Sequence, residues 1–89
     1  MEATPPMLEA RRAARNIPHD VVTRHVVEGV SLVRAWREHL GLTQSELAVR
    51  AGMKQSAIAR IERATNRPRR STLARLAAAM GIRPEHLLL

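Results

Sequence analysis

No run of five or six residues alternates apolar and polar positions as a half-buried strand would, whereas apolar residues recur at three- and four-residue spacing along most of the chain. The pattern predicts an all-α fold. Gly29, Gly41, Gly52 and Gly81 stand where periodic segments stop, as residues that take positive φ after a helix end do. Ser31 is placed to cap a first helix through Leu40, with Leu32, Val33, Trp36 and Leu40 on its apolar side. Thr43-Gln44-Ser45-Glu46 then fits a capping box, Thr43 at N-cap and Glu46 at N3, with Leu42 and Leu47 as the hydrophobic staple. That second helix should run to about Arg50, turn through Ala51, Gly52 and Met53, and hand over to a third starting near Lys54 or Gln55.

In the third helix Ile58 and Ile61 fall inward, while Gln55, Ser56, Arg60 and Arg63 fall on the opposite side. Pro68 marks residues 65–70 as a loop. Ser71 is expected to cap a fourth helix, with Leu73, Leu76, Ala77 and Met80 on its stripe and Gly81 closing it. Pro84, a good first-turn residue, opens a last short helix. Upstream, Met7 to Asn16 and Pro18 to Glu28 are helical candidates, although valines weigh against the second. The expected organisation is an N-terminal extension over 1–29 and a domain over 30–89.

A chain of 89 residues buries only roughly 60 to 65% of its unfolded surface, which leaves little core for an enclosed active site. With 15 Lys and Arg against 8 Asp and Glu the net charge is +7, which suits a polyanionic partner. No cysteine is present, so disulfides, thiolate metal sites and cysteine nucleophiles are excluded, and a cytoplasmic protein is expected. Residues 1–6 lack the basic start and apolar core of a signal peptide, and no apolar stretch approaches the roughly 20 residues that span a bilayer. Trp36 is the only aromatic residue, too few for the stacking platforms that hold single strands. Duplex DNA remains as the first candidate. His19, His25, His39 and His86 show no ligand pair at i, i+4 and no HExxH, and the acids are scattered, so neither metal, cofactor nor enzymatic activity is expected.

A compact helix pair with a tight corner needs a small residue where the helices cross, a corner residue tolerant of positive φ, and apolar residues pinning the second helix. Ala48, Gly52, Ile58 and Ile61 supply these in order. The free face of the second helix then suits a major groove about 12 Å wide. Gly41 to Ala48, then Ala51-Gly52, Ile58-Ala59-Arg60-Ile61-Glu62-Arg63, Pro68, and Leu76 to Ile82 resemble the helix-turn-helix proteins of the phage repressor and Cro type, also called the xenobiotic-response-element family.

The resemblance covers 31–89 and implies a five-helix domain that binds operator DNA, usually as a two-fold homodimer, with the helix-turn-helix over about 43–62. It implies that Gln44 reaches a phosphate and braces Gln55, which makes a bidentate contact to adenine, and that Glu62 pairs with Arg37 as a structural ion pair. Three residues depart from the family pattern: Lys54 in place of a capping Ser or Thr, Ala64 in place of glycine, and Arg70 in place of an apolar residue.

Chemistry agrees on Gln55, because a carboxamide carries the donor and acceptor that match adenine N7 and N6. Ser56 and Arg60 are further candidates for base readout; Arg60 can fork onto guanine or hold a phosphate. From Arg50 to Arg70 seven basic residues accompany one acid, Glu62, an electrostatic footprint for phosphate. Backbone contacts are accordingly expected from Thr43, Gln44, Lys54, Arg63, Asn66, Arg67, Arg69 and Arg70.

The lead-in Ile17-Pro18-His19-Asp20-Val21-Val22, with Val26-Val27-Glu28-Gly29 running into Leu32 to Glu38, resembles that of antitoxins of bacterial type II toxin–antitoxin pairs. It implies a toxin-binding segment and an autoregulatory repressor. The alternative is a stand-alone phage-like or restriction-control regulator in which 1–29 serve dimerisation or nothing.

Overall fold

The computed structural model describes residues 17–64 and 67–88, and these are helical with no strand. Five α-helices run in order: α1 His19–Val26, α2 Leu32–His39, α3 Gln44–Ala51, α4 Gln55–Arg63 and α5 Arg70–Met80, followed by a 3-10 turn over Pro84–Leu87. Counted from α2, four helices and this turn make the five-element, repressor-like all-α arrangement expected for the domain. The helical candidate over Met7 to Asn16 lies outside the described residues, as do Thr65 and Asn66.

Local signals set most helix ends. Ser31 Oγ accepts from the Arg34 amide at 3.1 Å and starts α2. Both halves of the capping box at α3 are formed: Thr43 Oγ1 accepts from the Glu46 amide and Glu46 Oε1 from the Thr43 amide, each at 3.0 Å. At the corner between α3 and α4, Gly52 takes φ 63° and lets the Met53 amide reach back to Ala48 O at 2.9 Å. A Cβ there would find room, its nearest neighbour being an Arg75 nitrogen 3.9 Å away. The left-handed backbone is therefore what calls for glycine.

One expected start differs. Helix α5 begins at Arg70 with Arg69 at N-cap and no side-chain cap, so Ser71 lies inside the first turn. Arg69 is extended at ψ 153°, continuing the extended chain that Pro68 favours, and the Leu73 amide closes the first turn onto Arg69 O at 2.9 Å. The anchoring of Leu73 and Leu76, both buried, outweighs a cap worth about 1 kcal/mol. The last short helix starts at Pro84 as expected, and its four residues wind as 3-10, the usual form for so short a piece.

One contiguous core joins the elements. Val33, Ala35 and Trp36 of α2, Leu47, Ala48 and Ala51 of α3, Ile58 of α4, Leu73, Leu76, Ala77 and Met80 of α5 and Leu87 of the 3-10 turn are all buried together. Helix α3 packs on α4 and α5, and α2 on α1, α4 and α5. The segment before residue 30 shares this core through Ile17 and the fully buried Val21. On the outside of that junction Arg24 Nη2 lies 2.7 Å from Glu38 Oε1 and His39 Nδ1 lies 2.8 Å from Asp20 Oδ2, which clamps α1 along α2. The hydrogen bond with His39 holds the Asp20 carboxyl below its ordinary pKa.

Candidate nucleic-acid interface

Helix α4 is pinned by one face. Ile58 has no exposed surface and Ile61 is packed against the core, whereas Gln55, Ser56, Arg60 and Arg63 are exposed. The opposition follows from the 3.6-residue period acting on Gln55–Arg63. Lys54 stands at N-cap, where an ammonium has no acceptor to offer the helix amides, and is exposed at the mouth of the corner. At the other end Ala64 leaves the helix in an extended conformation, φ −70° and ψ 142°. The glycine usual in the resembling family is not needed there, because no positive φ occurs. Arg67, Arg69 and Arg70 are exposed beyond it; Arg67 Nη2 lies 3.5 Å from Leu88 O, and Arg70 opens α5 in solvent.

Behind this face lies a charged hub. Arg37 Nε donates to Glu62 Oε2 at 2.7 Å and Nη2 to Glu62 Oε1 at 3.0 Å, a two-point fork between α2 and α4. The side chains are 11% and 3% exposed. Arg37 Nη1 also donates to Leu42 O at 2.7 Å, tying down the turn into α3. The hydrogen bond to Glu62 raises the already high pKa of Arg37 against the opposing effect of burial. Gln44 Nε2 donates to Glu62 Oε1 at 3.1 Å, so α3 is attached to the same carboxylate.

This corrects one expected contact. The brace implied from Gln44 to Gln55 is replaced by Gln44 to Glu62, and the residue that reaches Gln55 is Ser45, whose Oγ donates to Gln55 Oε1 at 3.3 Å. The reason is geometric and electrostatic: Gln44 begins α3 half-buried, next to an ionised carboxylate that is a stronger acceptor than an amide oxygen. Ser45 was not singled out from the sequence. The available signal was its place one residue past Gln44, in the first turn of α3 facing the first turn of α4. The hydroxyl of Thr43 serves the capping box, accepting from the Glu46 amide at 3.0 Å.

The structure thus brings Thr43, Gln44, Lys54, Gln55, Ser56, Arg60 and Arg63 onto the two helix starts and the outer side of α4, with Arg67, Arg69 and Arg70 downstream of it. Asn66 lies outside the described residues. Such an array offers point charges and forks for phosphates, together with a carboxamide, a hydroxyl and a guanidinium for base edges. Among the described residues, no group of three or more His, Asp or Glu side chains is placed to hold a metal ion, and no helix is long and apolar enough to cross a membrane.

Comparison with curated proteins gives no match. The sequence profile of the helix-turn-helix family matches residues 33–87, a span that runs from α2 through the 3-10 turn and contains the α3–corner–α4 unit, the hub and the basic segment. The chain therefore belongs to the helix-turn-helix family of DNA-binding transcription regulators.

Proposed function

We propose that this regulator is a sequence-specific repressor that binds its operator in duplex DNA as a homodimer, with α4 in the major groove. Gln55, Ser56 and Arg60 contact bases there, while Thr43, Gln44, Lys54, Arg63, Asn66, Arg67, Arg69 and Arg70 hold phosphates. The observation that carries this reading is the two-faced α4, buried through Ile58 and solvated through its polar and basic residues. Its biological setting is that of an antitoxin in the bacterial cytoplasm, which neutralises a cognate toxin and represses its own operon. The lead-in from Ile17 to Glu38 supports that setting by resemblance, and Val26 and Val27, at 66% and 77% exposed, offer a partner an apolar contact.

The test is genetic and biochemical together. The protein should retard the DNA upstream of its own reading frame, co-purify with the small protein of the neighbouring frame, and relieve the growth arrest which that protein causes when expressed alone. Binding of the upstream DNA without co-purification or relief favours the second reading, a stand-alone phage-like or restriction-control regulator. That reading has its own support, because Ile17 and Val21 are buried in the regulator's own core and are not free for a partner.

A further inference from the structure

Nothing at the start of α4 orients the carboxamide of Gln55. It is the helix's first residue, and Lys54 before it forms no side-chain cap. Gln44, the glutamine from which help was expected, is engaged with Glu62. Among the described residues, the side-chain hydrogen bond of Gln55 is with Ser45 on the other helix of the motif, whose hydroxyl proton is donated to Gln55 Oε1 at 3.3 Å. Both residues are exposed, and a neutral hydrogen bond in competition with water adds little to folding. Its consequence is orientation.

We propose that Ser45 is a positioning residue for base readout: it turns Oε1 of Gln55 toward α3 and thereby presents Nε2, with its two protons, to the DNA. The inference rests on the reading of α4 as the recognition helix and deepens it. A free carboxamide rotates about its last torsion and exchanges donor for acceptor, so it meets a donor edge such as cytosine N4 as readily as an acceptor edge. Held by Ser45, the outward group is a donor. It selects edges that offer an acceptor, namely purine N7, guanine O6 or thymine O4, and adenine is met through Nε2 on N7 with the remaining lone pair of Oε1 toward N6. Ser45 thus narrows what Gln55 recognises without itself touching a base.

The experiment uses the full chain and a duplex selected by the wild-type protein from a random library, with every single-base substitution of that duplex and a random-sequence duplex as control. Ser45→Ala should reduce discrimination at the base pair recognised by Gln55 by roughly three- to tenfold, the worth of one hydrogen bond, and leave binding to the random duplex unchanged. Ser45→Thr should keep the preference. In a Gln55→Ala background, Ser45→Ala should change nothing further. Equal loss on every duplex would make Ser45 a phosphate contact, and additive effects of the two substitutions would make it independent of Gln55; either result overturns the proposal, as does unchanged discrimination. Nuclear magnetic resonance of the DNA-free protein separates this from the parent reading: the side-chain amide signal of Gln55 should shift in Ser45→Ala. If no duplex is selected, the recognition-helix reading fails and the role in readout with it; if the amide signal does not move, the brace itself is absent.

Discussion

Arg37 and Glu62, 25 residues apart, meet through two hydrogen bonds of 2.7 and 3.0 Å, and the same carboxylate takes a third from Gln44. Three helices are therefore registered on one side chain that is 3% exposed. An ion pair at the surface would be worth about 0 to 1 kcal/mol, while removing one partner of a buried pair costs about 3 to 5 kcal/mol because the other charge is stranded. Arg37→Ala and Glu62→Ala should both fall in the second range in chemical denaturation. Arg37→Lys should also lose stability, since an ammonium cannot form the fork. Losses under about 1 kcal/mol for both alanine variants would show that the pair behaves as an exposed one.

Binding to the operator should weaken steeply with added salt, because several phosphate contacts release counterions. Arg67 and Arg69 are exposed beside the end of α4, and replacing both by Ala should weaken binding to every sequence and flatten the logarithmic salt slope by roughly one to two. Titrations at several salt concentrations measure it, and an unchanged slope takes these two residues out of the interface.

Gln55→Ala should cost about 1 to 3 kcal/mol on the operator and relax preference at one base pair in each half-site, with non-specific binding barely altered. The half-site centres of the inverted repeat should lie about 10 base pairs apart, so that the two copies of α4 enter successive major grooves on one side of the duplex. Footprinting gives the spacing and a substitution panel the preference. A uniform loss across the panel assigns Gln55 to the backbone.

The Thr43–Glu46 box should make part of the stability acid-sensitive. Hydrogen bonds from the Thr43 backbone, then from its side chain, lower the pKa of Glu46 below its ordinary value. The folded form therefore favours the carboxylate: the contribution is complete above the unfolded value and is lost as pH falls through the depressed folded one. Glu46→Gln should flatten the stability profile below the ordinary carboxylate range. Thr43→Ala, which removes the N-cap, should cost about 1 kcal/mol at neutral pH. An acid limb identical in wild type and Glu46→Gln would rule out the box as its source.

Legibility in the sequence followed distance along the chain. The box at Thr43–Glu46, the cap at Ser31 and the corner at Gly52 are contacts within four or five residues, so spacing and residue type were enough to find them. The inward face of α4 was legible for the same reason, since Ile58 and Ile61 obey one helical period. Ser71 misled because a favourable cap is a small local energy set against the burial of Leu73 and Leu76, which fixes where α5 can start. Ile17 and Val21 looked like an extension because β-branched residues give a weak helical signal, and their destination in the core depends on how α1 folds back on α2. Arg37 with Glu62 was legible only through family resemblance. The switch of Gln44 to Glu62 and of Ser45 to Gln55 turns on which acceptor is nearer after packing, and no periodicity carries that.

The single indole has a practical consequence. Trp36 is 4% exposed, stacks on His86 with centroids 5.6 Å apart, meets His39 edge-on at 5.9 Å and donates Nε1–H to the His86 carbonyl at 3.1 Å. With no Tyr or Phe in the sequence, all of the protein's intrinsic near-ultraviolet emission comes from this ring, wedged between two imidazoles on opposite sides of the α2–C-terminal junction. The molecule thus carries its own optical gauge of whether its last turn is docked. Because one neighbour, His39, is also the residue clamped to Asp20, the same gauge senses the seating of α1 without any label being attached.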